Sequence, residues 1–203
     1  MSGSGDIVSL MGKRCFVIKR KIREMDLLKK HIFLTGNVQV GKSTIIRRLL
    51  ATEWFCRKKI GGFRTISQEK FVYIMGANQS LADCSEKNIC GRRYMDRFNI
   101  ESYPDVFDEV GCGFLQDVQG VDIILMDELG FLEARSYRFQ HRVLEILDGE
   151  IPVIGVVKPK HDLFLDRIRN HPAVEIVEIT PENREEKLNY ITSRHMNRWN
   201  ISG

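Results

Sequence analysis

The chain has no long apolar run. None of its hydrophobic stretches approaches the roughly 20 residues that a membrane-crossing helix needs, so no membrane partner is expected. Cysteine is too sparse and too irregular for a disulfide scaffold. The five residues, Cys15, Cys56, Cys84, Cys90 and Cys112, are odd in number and include no Cys-x-x-Cys pair. Reduced thiols in a cytoplasm are the simplest account, and a cytoplasmic location is expected. Cys84 and Cys90 lack a zinc-ligand pattern, because the nearest histidines in sequence, His31 and His141, are remote. The start, MSGSGDIVSLMGKR, lacks a compact apolar segment behind a basic one and does not read as a secretory signal. Also missing is a basic excess over most of the chain. Residues 1–30 hold eight Lys/Arg against three acids, which leaves 23 basic and 24 acidic residues for 31–203. A near-neutral body argues against a general nucleic-acid surface there, and only the basic leader keeps that option.

What is present is an ordinary globular composition, 43% hydrophobic and 29% charged over 203 residues, enough for one α/β domain with an appendage. We divide it into a basic N-terminal extension, 1–30, and a body, 31–203. The body opens with HIFLTGNVQVGKSTIIRRLL. An apolar run ends at Thr35, and four residues separate Gly36 from Gly41-Lys42-Ser43-Thr44, the Gly-x-x-x-x-Gly-Lys-Ser pattern of a phosphate-binding loop. The spacing follows from the task. Several backbone N–H groups must turn inward on one anion, the glycines permit the dihedrals, and the next helix adds its positive end. The expected nucleotide-binding set is Gly36, Asn37, Val38, Gln39, Val40, Gly41, Lys42, Ser43 and Thr44. Lys42 reaches the β/γ-phosphates, and the Ser43 hydroxyl can ligate Mg²⁺. No glycine or proline lies between 37 and 40, which predicts a fuller loop than usual.

Downstream, 42–58 reads as one helix with Ile45, Ile46, Leu49, Leu50 and Phe55 on one face. Residues 63–66 and 71–76 read as a β-hairpin across a short polar segment. Residues 77–120 show little periodicity and are expected to be a binding loop or lid. Strands are expected at 121–126, 151–157 and 174–179, and helices at 135–148 and 162–170. A last helix is expected with Thr180 as N-cap and Pro181 at its first position. The leader's 15–30 is expected to add a strand and a short helix. This alternation predicts a doubly wound, mostly parallel sheet with helices on both faces and a hairpin inserted after the first helix.

The apolar run before Asp127-Glu128 makes this pair the second half of a candidate site. An acid at the end of a buried strand suits the Mg²⁺ held by Ser43, so Asp127 is the second expected metal ligand. Glu128 would project to the γ-phosphate side, where a carboxylate can deprotonate an attacking water. With Lys42 it forms the expected catalytic set. Arg64, Arg92, Arg93, Arg97 and Lys158 are candidates to stabilise γ-phosphate charge. Asp96-Arg97-Phe98 also resembles a short element of thymidylate kinases.

Taken together, these motifs resemble the P-loop nucleoside-triphosphatases of the thermophile type. The matching blocks are Gly36 with Val40-Gly41-Lys42-Ser43-Thr44, Gly62-Phe63-Arg64-Thr65, Asp127-Glu128-Leu129-Gly130 with Glu133 and Phe139, Pro152-Val153-Ile154-Gly155, and Ile179-Thr180-Pro181-Glu182-Asn183-Arg184. Asn37-Val38-Gln39 replaces the family's Pro-Pro-Gly, Phe131 its Lys, and Lys158 stands near a frequent His. The resemblance implies slow Mg²⁺-dependent hydrolysis of ATP, GTP and other nucleoside triphosphates to diphosphates. Two alternatives compete: a nucleotide or small-metabolite kinase, and a nucleotide-gated binding module. Phosphate release without an acceptor separates the first, and strong dependence of turnover on a partner marks the second. The sequence does not specify oligomeric state or preferred base.

Overall fold

The computed structural model describes residues 29–94, 100–116, 118–196 and 199. Its strands are β1 (His31–Thr35), β2 (Ile60–Gln68), β3 (Phe71–Gly76), β4 (Ile89–Arg93), β5 (Ile100–Ser102), β6 (Ile123–Leu129), β7 (Val153–Val157) and β8 (Val174–Glu178). They form one eight-stranded sheet in the order β5-β4-β3-β2-β6-β7-β1-β8. The pairs from β2 through β8 are parallel, while β3, β4 and β5 extend the β2 edge antiparallel. The helices are α1 (Lys42–Leu50), α2 (Glu53–Cys56), α3 (104–116, with Phe107–Gly111 wound as a π-helix), α4 (Tyr137–Asp148), α5 (Leu163–Arg169) and α6 (Arg184–Ile191). Among the described residues, no helix is long and apolar enough to cross a membrane.

Strand alternation divides the core into two layers. Ile32 and Leu34 of β1 pack with Ile45, Ile46 and Leu49 of α1 and Leu188 and Ile191 of α6. Phe33, between them, joins Phe139 and Val143 of α4, Phe164 and Ile168 of α5 and Leu115 of α3 on the other face. Each such side chain contributes about 1.5–3 kcal/mol by leaving water. The expected doubly wound sheet with helices on both faces is therefore the observed one. His31, fully buried, serves this frame: one ring nitrogen accepts the Val153 N–H and the other bonds to the Leu147 carbonyl. Burial lowers its pKa to about 4, against the raising effect of the Leu147 bond.

Four expectations need correction. The helix expected over 42–58 breaks: Thr52 is extended and its hydroxyl donates to the Leu49 carbonyl at 2.8 Å, a local bond that competes with the helix ladder. Phe55 stays buried in α2, so the apolar period runs through a break it cannot reveal. The described part of 77–120 is not a loop. It holds β4, β5 and α3, whose short strands and capped 3₁₀ turns at 81–83 and 86–88 carry no long period. The last helix starts at Arg184, because Asn183 accepts the Thr180 N–H and donates to the Glu178 carbonyl, tying 180–183 into a turn. Finally, β6 continues through Leu129, so Asp127 and Glu128 lie within the strand. The strand and helix expected at 15–30 fall almost wholly outside the described residues, as does the 96–98 element with Arg97.

Gly155 in β7 lies where three strands meet. A Cβ there would sit 2.5 Å from the Phe33 ring and 2.8 Å from the Met126 carbonyl oxygen. Gly155→Ala is expected to destabilise the protein by about 1–3 kcal/mol through overpacking. Urea denaturation should show a lower midpoint at unchanged slope; an unchanged midpoint would contradict this packing.

Candidate functional site

The ends of β1, β6 and β7 converge on one cavity of about 1290 Å³. At the first, the loop after β1 turns through Gly36 (φ 131°) and Gly41 (φ 101°) into α1. A Cβ on Gly36 would lie 2.3 Å from the Ile179 carbonyl oxygen, so both dihedral and packing demand glycine there. Lys42 is buried, and its ammonium donates to the Gly36 carbonyl at 2.8 Å and the Asn37 carbonyl at 2.7 Å. Burial lowers its pKa, with Glu128 opposing that shift. The first α-helical bond runs from Ile45 N–H to Gly41 O, which leaves the N–H groups of the preceding turn without helical acceptors. Gly36, Val38, Gln39, Gly41, Lys42, Ser43 and Thr44 all line the cavity, whereas the Val40 side chain packs into the core.

The second strand end brings Asp127 and Glu128 to the same cavity. Their peptide bond is cis. Burial raises the Asp127 pKa to about 6, and the neighbouring Glu128 adds to the rise against Arg64 and Lys42. The Glu128 N–H donates to the Thr65 hydroxyl at 3.3 Å. Its carboxylate pairs with Lys158, from the end of β7, at 2.9 Å. The Lys158 stem crosses Gly130, where a Cβ would lie 2.8 Å from its Cδ, and the ammonium sits 5.0 Å from the centre of the Phe131 ring.

Of the cationic candidates, Arg92, Arg93 and Lys158 line the cavity. Arg64 faces Asp127 in the β2–β6 register, and its guanidinium turns to the Gln79 carbonyl at 2.5 Å. Thr65, Glu69, Lys70, Ile100 and Lys160 also line the cavity and were not singled out as site residues from the sequence. Thr65 could have been, since it closes the Gly-Phe-Arg-Thr block; the others lie in a hairpin turn, on an edge strand and in a loop, without a motif. The cavity walls thus carry six Lys/Arg and three Asp/Glu, a local positive excess inside a near-neutral body.

Comparison with known proteins follows the same outline. The model of the family described as NTPase matches residues 31–192. The chain belongs to the NTPase family. A relative named nucleoside-triphosphatase THEP1, from Thermotoga maritima, is 31% identical over 173 residues, covering 80% of this chain and 93% of the relative. One of the same name from Thermococcus kodakarensis is 27% identical, covering 81% and 93%. In fold, the chain is similar to the crystal structure of THEP1 from Aquifex aeolicus, with a TM-score of 0.61 at 24% identity, covering 80% of this chain and 97% of that one. It is similar as well to the solution structure of a human cancer-related nucleoside triphosphatase, with a TM-score of 0.62 at 21% identity, covering 81% and 96%.

Against this family background, Glu133 belongs to the support of the site. It is fully enclosed, accepts the Gly130 N–H, and burial raises its pKa to about 7 against that hydrogen bond and the charge of Lys158. A carboxyl that holds its proton more tightly when folded contributes stability that is full below pH 4.5 and fades as pH rises through 7. Glu133→Gln keeps an acceptor for Gly130 and removes the titration. Its stability relative to the parent is expected to improve by about 1–3 kcal/mol between pH 4.5 and pH 8. Parallel pH profiles in urea denaturation would refute the buried ionisation.

Proposed function

We propose that this NTPase-family chain is a Mg²⁺-dependent phosphohydrolase, converting ATP, GTP and other nucleoside triphosphates to diphosphate and phosphate. The observation that carries this reading is the Glu128–Lys158 pair facing the phosphate loop across one cavity. The donors suit Mg²⁺. Ser43 and Asp127 are hard oxygen ligands, and Asp127 is a carboxylate whose burial leaves its charge under-compensated. Among the described residues, no group of three or more His, Cys, Asp or Glu gathers into a metal cage. A cation sharing few protein oxygens with phosphate oxygens is the usual mode for Mg²⁺. When bound there it would offset charge on the β- and γ-phosphates.

The chain's own groups divide the remaining work. The Lys42 ammonium exchanges the Gly36 and Asn37 carbonyls for β/γ-phosphate oxygens, while the free N–H groups of the loop and the α1 start face the same anion. Glu128, oriented by Lys158 and by the Thr65 contact to its backbone, takes a proton from water as the water oxygen attacks the γ-phosphorus. The bond from that phosphorus to the β-phosphate bridging oxygen breaks, and the diphosphate leaves with the electron pair. Lys158 places a positive charge where the γ-oxygens gather.

Phosphate release from a panel of nucleoside triphosphates with Mg²⁺ and no acceptor tests this scheme. Lys42→Ala is expected to lose nucleotide binding. Glu128→Gln is expected to bind as the parent does and turn over about a hundredfold or more slowly. Equal turnover by Glu128→Gln and parent would remove Glu128 from the base role.

A further inference from the structure

Hydrolysis as proposed uses only one side of the cavity. The opposite wall, formed by the β2–β3 turn and the end of β4, carries Lys70, Arg92, Arg93 and Tyr94 together with Glu69, and Glu101 behind it accepts the Tyr94 hydroxyl at 2.7 Å. None of Lys70, Arg92 and Arg93 forms an ion pair with another described residue. The Arg92 guanidinium is instead held by aromatic faces, 5.4 Å from the centre of the Tyr94 ring and 6.0 Å from that of Phe71. Arg93 donates to the Ser67 hydroxyl at 2.7 Å, and among the described residues its buried Nε–H has no acceptor.

Sheet order tells where this wall stands. β2, β3, β4 and β5 lie on the far side of β6 from the phosphate loop. On the near side, the turn after β8 presses on the loop through Ile179 against Gly36 and Arg184 against Gly41. The cationic wall therefore lies beyond Glu128, past the γ end of a triphosphate seated on the loop. The cavity, at about 1290 Å³, also exceeds the roughly 300–1,000 Å³ typical of a site for one small ligand.

We infer that this wall binds a second small molecule, a phosphomonoester of nucleoside-monophosphate size, while a nucleoside triphosphate occupies the loop. Its phosphate would meet Arg92, Arg93 and Lys70. Arginine forks bind such an oxyanion bidentately, and Arg92 is already pre-oriented by its two rings. Half-exposed Tyr94 offers a face on which a base can stack. The inference rests on the nucleotide assignment above, since it places the second ligand beside the first.

The test uses the full chain with Mg²⁺ and a saturating non-hydrolysable ATP analogue. AMP, GMP, CMP, UMP and ribose 5-phosphate are then titrated separately by calorimetry. At least one is expected to bind at one further site per chain. Lys70 and Arg92 are exposed, so Lys70→Ala with Arg92→Ala should fold normally, and the analogue is kept saturating for the variant as for the parent. That double variant is expected to weaken the second ligand at least about tenfold, as loss of a charge-assisted contact does. Preference for a nucleotide over ribose 5-phosphate would support stacking on Tyr94, and equal binding would support the phosphate contacts alone. If the analogue binds but no phosphomonoester does, or if the double variant binds it undiminished, this inference is overturned while the hydrolase reading stands. Failure of the analogue itself to bind would sink both.

Discussion

The site depends on one backbone constraint, the approach of the Ile179 carbonyl to Gly36. A side chain at 36 would collide with it at 2.3 Å, and the residue's φ of 131° is one that L side chains rarely adopt. Because the chain turns there, the loop stays on the edge of the sheet, and Gly41 starts α1 directly over the end of β1. Lys42 then closes the curl from inside, its ammonium bridging the carbonyls of 36 and 37. Packing against the turn after β8 and two hydrogen bonds within the loop thus hold the same few residues from opposite sides. The N–H groups of the loop need no side chain of their own to be aimed.

Charge follows from that geometry. Strand β6 carries two adjacent carboxylates to the place where β1 delivers a buried ammonium. Burial is the main reason that Asp127 is raised to about 6, and Glu128 beside it adds to the rise. Lys42 and Arg64 offset part of this, and Lys158 pairs with Glu128. The near-neutral total for 31–203 conceals this arrangement, since a cavity with twice as many basic as acidic groups balances against an acidic exterior. Net charge argues about bulk partners; it does not report what a particular concavity attracts.

Much of the fold was legible because its strands are buried on both faces and read as unbroken apolar runs: β1, β6 and β7 are of this kind. Both halves of the candidate site adjoin such runs, which is why Gly36–Thr44 and Asp127-Glu128 stood out. The antiparallel extension was not legible. β4 exposes Arg92 while burying Cys90 and Gly91, and β5 is three residues long, so neither carries a period. The break after α1 depended on a single threonine hydroxyl, and the late start of α6 on the two-sided bonding of Asn183. These are local hydrogen-bond choices that hydrophobic patterning does not encode. Of the far wall of the cavity, only Arg92 and Arg93 stood out as cations; Lys70 and Tyr94 lie in a turn and just past the end of β4, without a motif.

Departures from the family pattern acquire meaning once their neighbours are known. Gln39 replaces the glycine expected in the loop and still adopts φ 64°, a left-handed conformation that costs a non-glycine residue roughly 1–2 kcal/mol. The loop therefore takes a backbone shape that favours glycine at a position held by glutamine. Phe131 and Lys158, two substitutions distant in sequence, meet in space: the aromatic face lies 5.0 Å from the ammonium. A lysine at 131 would repel Lys158, whereas phenylalanine holds it over Gly130 with its charge directed at Glu128. Phe131 and Lys158 thus act together, and the carboxylate keeps a cationic partner.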